Sequence, residues 1–155
     1  MWRIDISNPE FKYDDADPAG FRAGMLRTGP LLGARRTGAS VYELPPGEAV
    51  CPYHYEHGEE EWLLVLEGRA SVRTPAGTEQ LEPMELAFFP AGREGAHQIR
   101  NESATPVRVL MWSEVVTPTV TVYPDSDKVG VWTGDKADDM LVERSSKVDY
   151  FHGEV

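Results

Sequence analysis

Three of the four histidines, His54, His57 and His97, lie in or beside short segments where polar residues interrupt apolar ones, and Glu56 and Glu61 sit close to the first two. Side chains two apart on a β-strand share a face. His54 and Glu56 therefore point one way, with Tyr53 and Tyr55 the other. Glu61 shares a face with Leu63 and Val65, and His97 with Ile99 and Asn101. Two imidazoles and one or two carboxylates converging from separate strands form a donor set of the kind that binds Zn, Fe, Mn or Ni. Each residue taken alone has a plainer role, the histidine as a hydrogen-bonded core residue and the glutamate as a solvated strand end. His152, in the tail, reads as solvated.

The elements that must position these groups are strands. Turn residues recur about every 8–12 residues, with β-branched and aromatic runs between them, the pattern of an all-β sandwich or barrel. The expected strands are Ala39–Leu44, Cys51–Glu56, Glu61–Leu66, Ala70–Thr74, Thr78–Leu81, Leu86–Pro90, His97–Asn101, Val107–Ser113 and Thr119–Tyr123. Pro45-Pro46-Gly47, Glu67-Gly68, Pro75-Ala76-Gly77 and Pro90-Ala91-Gly92 supply the breaks. Trp62-Leu63-Leu64-Val65-Leu66 is apolar on both faces, so something must cover its outer side. Phe88-Phe89 and Met111-Trp112 repeat the signal, which leads us to expect a homodimer, with scattered surface apolar residues as the alternative. Residues 1–30 read as an N-terminal arm, 31–123 as the barrel, and 124–155 as a C-terminal arm packing on the barrel or a partner subunit. In that last arm Trp132, Met140-Leu141-Val142 and Tyr150-Phe151 are the anchoring groups.

The 155 residues suit a single domain. A net charge of −11 disfavours a nucleic-acid partner. No apolar run approaches the ~18 residues of a membrane span, and the N-terminus has no secretory pattern. The single cysteine, Cys51, cannot form an internal disulfide and reads as a small buried side chain. A cytoplasmic protein without a membrane partner is expected.

Residues 47–68, GEAVCPYHYEHGEEEWLLVLEG, resemble the first motif of the cupins, G-x5-H-x-H-x3-4-E-x6-G. Residues 85–101, ELAFFPAGREGAHQIRN, resemble the second, G-x5-P-x-G-x2-H-x3-N. His54, Glu61 and Gly68 match the first, and Pro90, Gly92, His97 and Asn101 the second. The resemblance implies a small single-domain cupin, a double-stranded β-helix or jelly-roll barrel, in which His54, Glu61 and His97 are ligands of one divalent transition metal, Mn, Fe, Zn or Ni. The chain departs from the pattern in three places. Glu56 replaces the second histidine, with His57 directly after it. Met84 or Glu85 stands where the second motif opens with glycine, and Arg93-Glu94-Gly95-Ala96 fills a gap usually of two residues. Six residues rather than five follow Gly47.

Glu56 carries the chemical consequence. A regular strand turns it towards the metal, giving two imidazoles, two carboxylates and a formally neutral site that depresses the pKa of bound water less. A bulge would turn His57 inward instead and restore three histidines. A third outcome is a metal-free barrel in which Glu56 pairs with a histidine. Tyr53, Tyr55, Arg73, Gln98 and Arg100 are further candidates near the site, with alternation turning Tyr55, Gln98 and Arg100 away from it. The expected function is action on a small-molecule substrate as a dioxygenase, isomerase or lyase. The alternatives are a non-catalytic ligand-binding or sensing cupin and a structural barrel.

Overall fold

The computed structural model describes residues 1–154. Its strands are β1 (Gly24–Arg27), β2 (Thr37–Leu44), β3 (Tyr55–Glu56), β4 (Glu61–Glu67), β5 (Ala70–Thr74), β6 (Gly77–Leu81), β7 (Leu86–Phe89), β8 (Gln98–Arg100), β9 (Val107–Glu114), β10 (Thr119–Tyr123), β11 (Lys128–Trp132) and β12 (Met140–Glu143). One helical turn, Thr28–Leu31, follows β1. Among the described residues no helix is long and apolar enough to cross a membrane. The strands form a five-stranded sheet ordered β1-β2-β9-β4-β7, a four-stranded sheet ordered β12-β11-β10-β3, and a three-stranded sheet ordered β6-β5-β8.

Alternation along β4 decides where the core lies. Leu63 and Val65 are fully buried and pack with Leu44, Val107 and Val109 of the neighbouring strands and with Ile99 of β8. Removing one of these side chains, as in Leu63→Ala, carries a cost of about 2–5 kcal/mol through lost burial and an unfilled cavity. Trp62 points to the opposite side, where its ring lies parallel to that of Trp112 at 5.9 Å and tilted against Phe88 at 4.7 Å. Leu86 and Phe88 continue this outer apolar surface and are 55% and 42% exposed.

The turns that join the strands are held by specific groups. The Asn101 side chain is fully buried and donates to the carbonyls of Leu44 (2.8 Å) and Thr105 (2.7 Å) while accepting from Ser103 N (2.8 Å). It fastens the β8–β9 turn to the end of β2, which explains its place in the motif as a structural residue. At Gly68, with φ +75°, a Cβ would meet Pro106 O at 2.9 Å, so the motif's closing glycine is required both by conformation and by space.

Three segments differ from the sequence expectation. The strand expected over Cys51–Glu56 is reduced to Tyr55–Glu56, preceded by a single His54–His97 bridge. Pro52 lacks the N–H that a ladder needs, and the chain bends across residues 50–53. The N-terminal arm contains β1, on whose edge Lys12 pairs with Met25 through two backbone hydrogen bonds, 3.1 and 2.9 Å. The C-terminal arm extends a sheet rather than lying as loops: β11 and β12 add to β10, with Asp127 (φ +47°) turning the β10–β11 connection. Its alternation, Lys-Val-Gly-Val-Trp, is short and enclosed by Asp and Gly, so composition concealed it. Beyond β12, Tyr150 and Phe151 are exposed and contact each other edge to face at 4.9 Å.

Candidate metal centre

His54 and His97 face each other because their backbones are paired, His97 N donating to His54 O (2.8 Å) and His54 N to His97 O (3.1 Å). Glu61 opens β4 opposite Phe89, and Phe89 in turn stacks on the His97 ring at 3.8 Å. Three chain segments thus deliver two imidazoles and a carboxylate to one point. One Glu61 oxygen lies 3.6 Å from His54 Nε2 and 3.4 Å from His97 Nε2. One ligand atom from each of the three residues lies within 4.8 Å of the other two. Donors ~2.1 Å from a tetrahedral ion stand about 3.4 Å apart, so the spacing suits a transition metal.

The far side of each ring strengthens the fit. His54 Nδ1 is 3.0 Å from Pro52 O and His97 Nδ1 is 2.9 Å from Gly95 O. A nitrogen against a carbonyl carries a proton, which leaves the neutral His97 with an Nε2 lone pair aimed at the cluster, while His54 frees its Nε2 for a metal by giving up a second proton. His97 Nε2 is buried and has no hydrogen-bond partner among the described residues. An orphaned buried nitrogen is costly in a core and ordinary in a ligand.

Electrostatics keep the set poised. Burial, followed by the nearby His54 charge, pushes His97 down to about 4, so it is neutral across the physiological range. Burial also disfavours the charged form of His54, but the Cys51 sulfur and the Glu61 carboxylate outweigh it and raise its pKa. Glu61 is raised by burial and lowered more strongly by the two imidazoles, for a net lowering that keeps it anionic.

Glu56 is not among the three. It accepts from Thr121 Oγ1 at 2.7 Å and Thr119 Oγ1 at 3.3 Å, and Thr121 Oγ1 in turn accepts from Trp132 Nε1 at 2.8 Å. Glu56 stays in register with Thr121 on a regular strand, and His57 is exposed, its ring edge-on to Tyr55 at 5.3 Å. Cys51 lies 3.5 Å from His54 Nδ1, on the side of the ring away from the cluster. Tyr53 and Tyr55 pack with Ala96 and Val122 on the opposite face. Arg73 pairs with Asp125 and covers the Tyr53 ring at 4.0 Å. Gln98 donates to Cys51 O (3.0 Å) and Arg100 to Gly47 O (2.8 Å), so both serve the backbone.

A cavity of about 420 Å³ opens in front of the cluster, with Met25, Arg27, Tyr42, Cys51, His54 and Glu61 in its wall. Sequence reasoning missed Arg27 and Tyr42, which belong to strands outside the motifs. It also missed Gly95, where a Cβ would run into the Pro90 carbonyl. The signal was present: Gly95 is the glycine within the lengthened gap of the second motif.

The family model of the cupin domain matches residues 40–113. No curated protein matches the chain. A sugar phosphate isomerase of the cupin superfamily from Silicibacter pomeroyi shares the fold, with a TM-score of 0.81, 22% identity and coverage of 94% of each chain. The polyketide cyclase RemF from Streptomyces resistomycificus has a TM-score of 0.59 at 24% identity, covering 74% of this chain and 79% of its own. The TT1209 protein of Thermus thermophilus has a TM-score of 0.58 at 29% identity, covering 74% of this chain and 97% of its own. Strand order, the two motifs and the family match agree, and the chain contains a cupin-type domain.

Proposed function

We propose that this protein is a metal-dependent enzyme that binds one divalent transition metal through His54, Glu61 and His97 in a jelly-roll barrel and isomerises a small oxygen-rich substrate. The observation that carries the reading is the convergence of two Nε2 atoms, one of them buried without a partner among the described residues, on a carboxylate in the wall of an open cavity. With His54 deprotonated by metal binding, two imidazoles and one carboxylate would leave coordination positions free, and a metal held this way would polarise a carbonyl or hydroxyl oxygen. Glu56, held on the same strand face as His54, is a candidate to join the site as a fourth donor when substrate or metal draws it from Thr119 and Thr121. Solved structures of this fold include a named isomerase and a named cyclase, so the fold alone does not choose the reaction.

The test is proton exchange. Protein loaded in turn with Mn(II), Fe(II), Ni(II) or Zn(II) is incubated in D2O with a panel of hydroxyaldehydes and hydroxyketones, with and without a phosphate group, and followed by NMR. Deuterium incorporation beside the carbonyl, lost in Glu61→Ala, is expected. Tight binding without exchange or turnover would instead make the protein a ligand-binding cupin.

A further inference from the structure

Among the described residues one arginine, Arg27, lies in the wall of the cavity in front of the metal cluster. Arg27 ends β1 and pairs with Ser40, while Met25 pairs with Tyr42, so alternation turns Met25 and Arg27 to the side of Ser40 and Tyr42. Tyr42 feels both ends of the cavity: burial raises its pKa, Cys51 and Glu61 raise it further, and Arg27 opposes them. Among the described residues the exposed Arg27 forms no ion pair and no side-chain hydrogen bond, as is also true of Arg3, Arg35, Arg36 and Arg93, but of these arginines it alone lines this cavity. Two of the three carboxylates in the cavity wall are otherwise engaged. Glu61 belongs to the metal cluster and Glu59 accepts from Val116 N at 3.1 Å.

We infer that Arg27 anchors the oxyanion end of the substrate, a terminal phosphate or carboxylate, while the other end meets the metal. This inference rests on the proposed catalytic cavity and names its substrate class. Arginine suits the task because its planar fork gives two parallel hydrogen bonds to an oxyanion and its charge is permanent. The length is appropriate. β1 and β4 are separated by β2 and β9, three strand spacings or about 14 Å along the sheet, which the Arg27 and Glu61 side chains shorten to the span of a small molecule. The formal charges also permit it, since Arg27 and a divalent ion together balance Glu59, Glu61 and Glu114 in the cavity wall. The Ser40 and Tyr42 hydroxyls stand in that wall between the two ends, available to substrate hydroxyls.

Calorimetric titration of the full chain, with and without Mn(II), tests this with dihydroxyacetone phosphate, dihydroxyacetone, glycerate and glycerol. The two anionic probes separate phosphate from carboxylate as the preferred group. The preferred anion should bind more tightly than its neutral counterpart, and Arg27→Gln should weaken it roughly 10- to 100-fold while leaving the neutral probe and Mn(II) uptake unchanged. Arg27→Lys should recover part of the loss. Equal anion affinity in wild type and Arg27→Gln, or no binding of either anion, would overturn the inference. Failure of Mn(II) uptake would count against the metal reading alone, because the comparison of wild type with Arg27→Gln can still be made on the unloaded protein.

Discussion

Each imidazole of the cluster is aimed by a backbone carbonyl two residues before it, Pro52 O for His54 and Gly95 O for His97. The histidines themselves were legible in the sequence, because their order with Glu61, Gly68, Pro90 and Asn101 follows two motifs. The carbonyls that orient them were not, since any residue supplies a carbonyl and only the path of the chain makes it useful. Gly95→Ala tests this orientation: a Cβ forced against Pro90 displaces the carbonyl that holds His97 Nδ1, and metal affinity measured by competition with a chelator should fall by about 10-fold or more. A second residue-scale case is Met84, which adopts φ +71° at the turn into β7 while its N–H donates to Val65 O at 2.8 Å. The second motif's missing glycine is therefore missing in residue type and retained in backbone shape. Left-handed geometry costs a residue with a Cβ ~1–2 kcal/mol, and glycine's extra chain entropy returns part of it. Met84→Gly should stabilise the fold by about 0.5–1 kcal/mol, read as a higher midpoint in urea unfolding.

At the scale of elements, the strongest sequence signals were runs enclosed by Gly and Pro. Ala70–Thr74 and Thr119–Tyr123 have the limits read from such punctuation, and β2, β4 and β9 are only a residue or two longer. The readings that failed share a cause. Pro52 cuts the expected strand ahead of β3, and β11 and β12 are so short and so enclosed by Asp and Gly that they pass for loops until pairing with β10 supplies their partners. That pairing has a consequence at the site, because it brings Trp132 to Thr121 and so fixes the hydroxyl that holds Glu56. The choice between Glu56 and His57 could not be read from alternation alone; it depended on β10 lying beside β3. Trp132→Phe removes one partly buried hydrogen bond while keeping most of the ring's packing, and should cost about 1 kcal/mol in chemical unfolding. The same variant should take up metal as wild type does, since the Thr121–Glu56 pair lies outside the His54–Glu61–His97 cluster.

At the scale of the whole molecule, the five-stranded sheet presents an apolar face on its outer side. Trp62, Trp112, Phe88 and Leu86 lie together on one side of the five-stranded sheet, and two of them are substantially exposed. Sequence showed this face through the doubly apolar run of β4. We propose that a second copy of the chain covers it. Sedimentation velocity should give twice the chain mass for wild type and a monomer for Phe88→Glu, whereas a monomeric wild type would remove the proposal. Inside the barrel, the proposed metal centre is tested most directly by metal content. Purified without chelator and dialysed against Mn(II), Fe(II), Ni(II) or Zn(II), wild type should hold about one equivalent per chain of at least one of these metals by mass spectrometry. His97→Ala and Glu61→Ala should hold essentially none, and Glu56→Ala should retain it. A wild type that takes up none of the four metals, or folded His97→Ala and Glu61→Ala variants that bind as wild type does, would contradict the account.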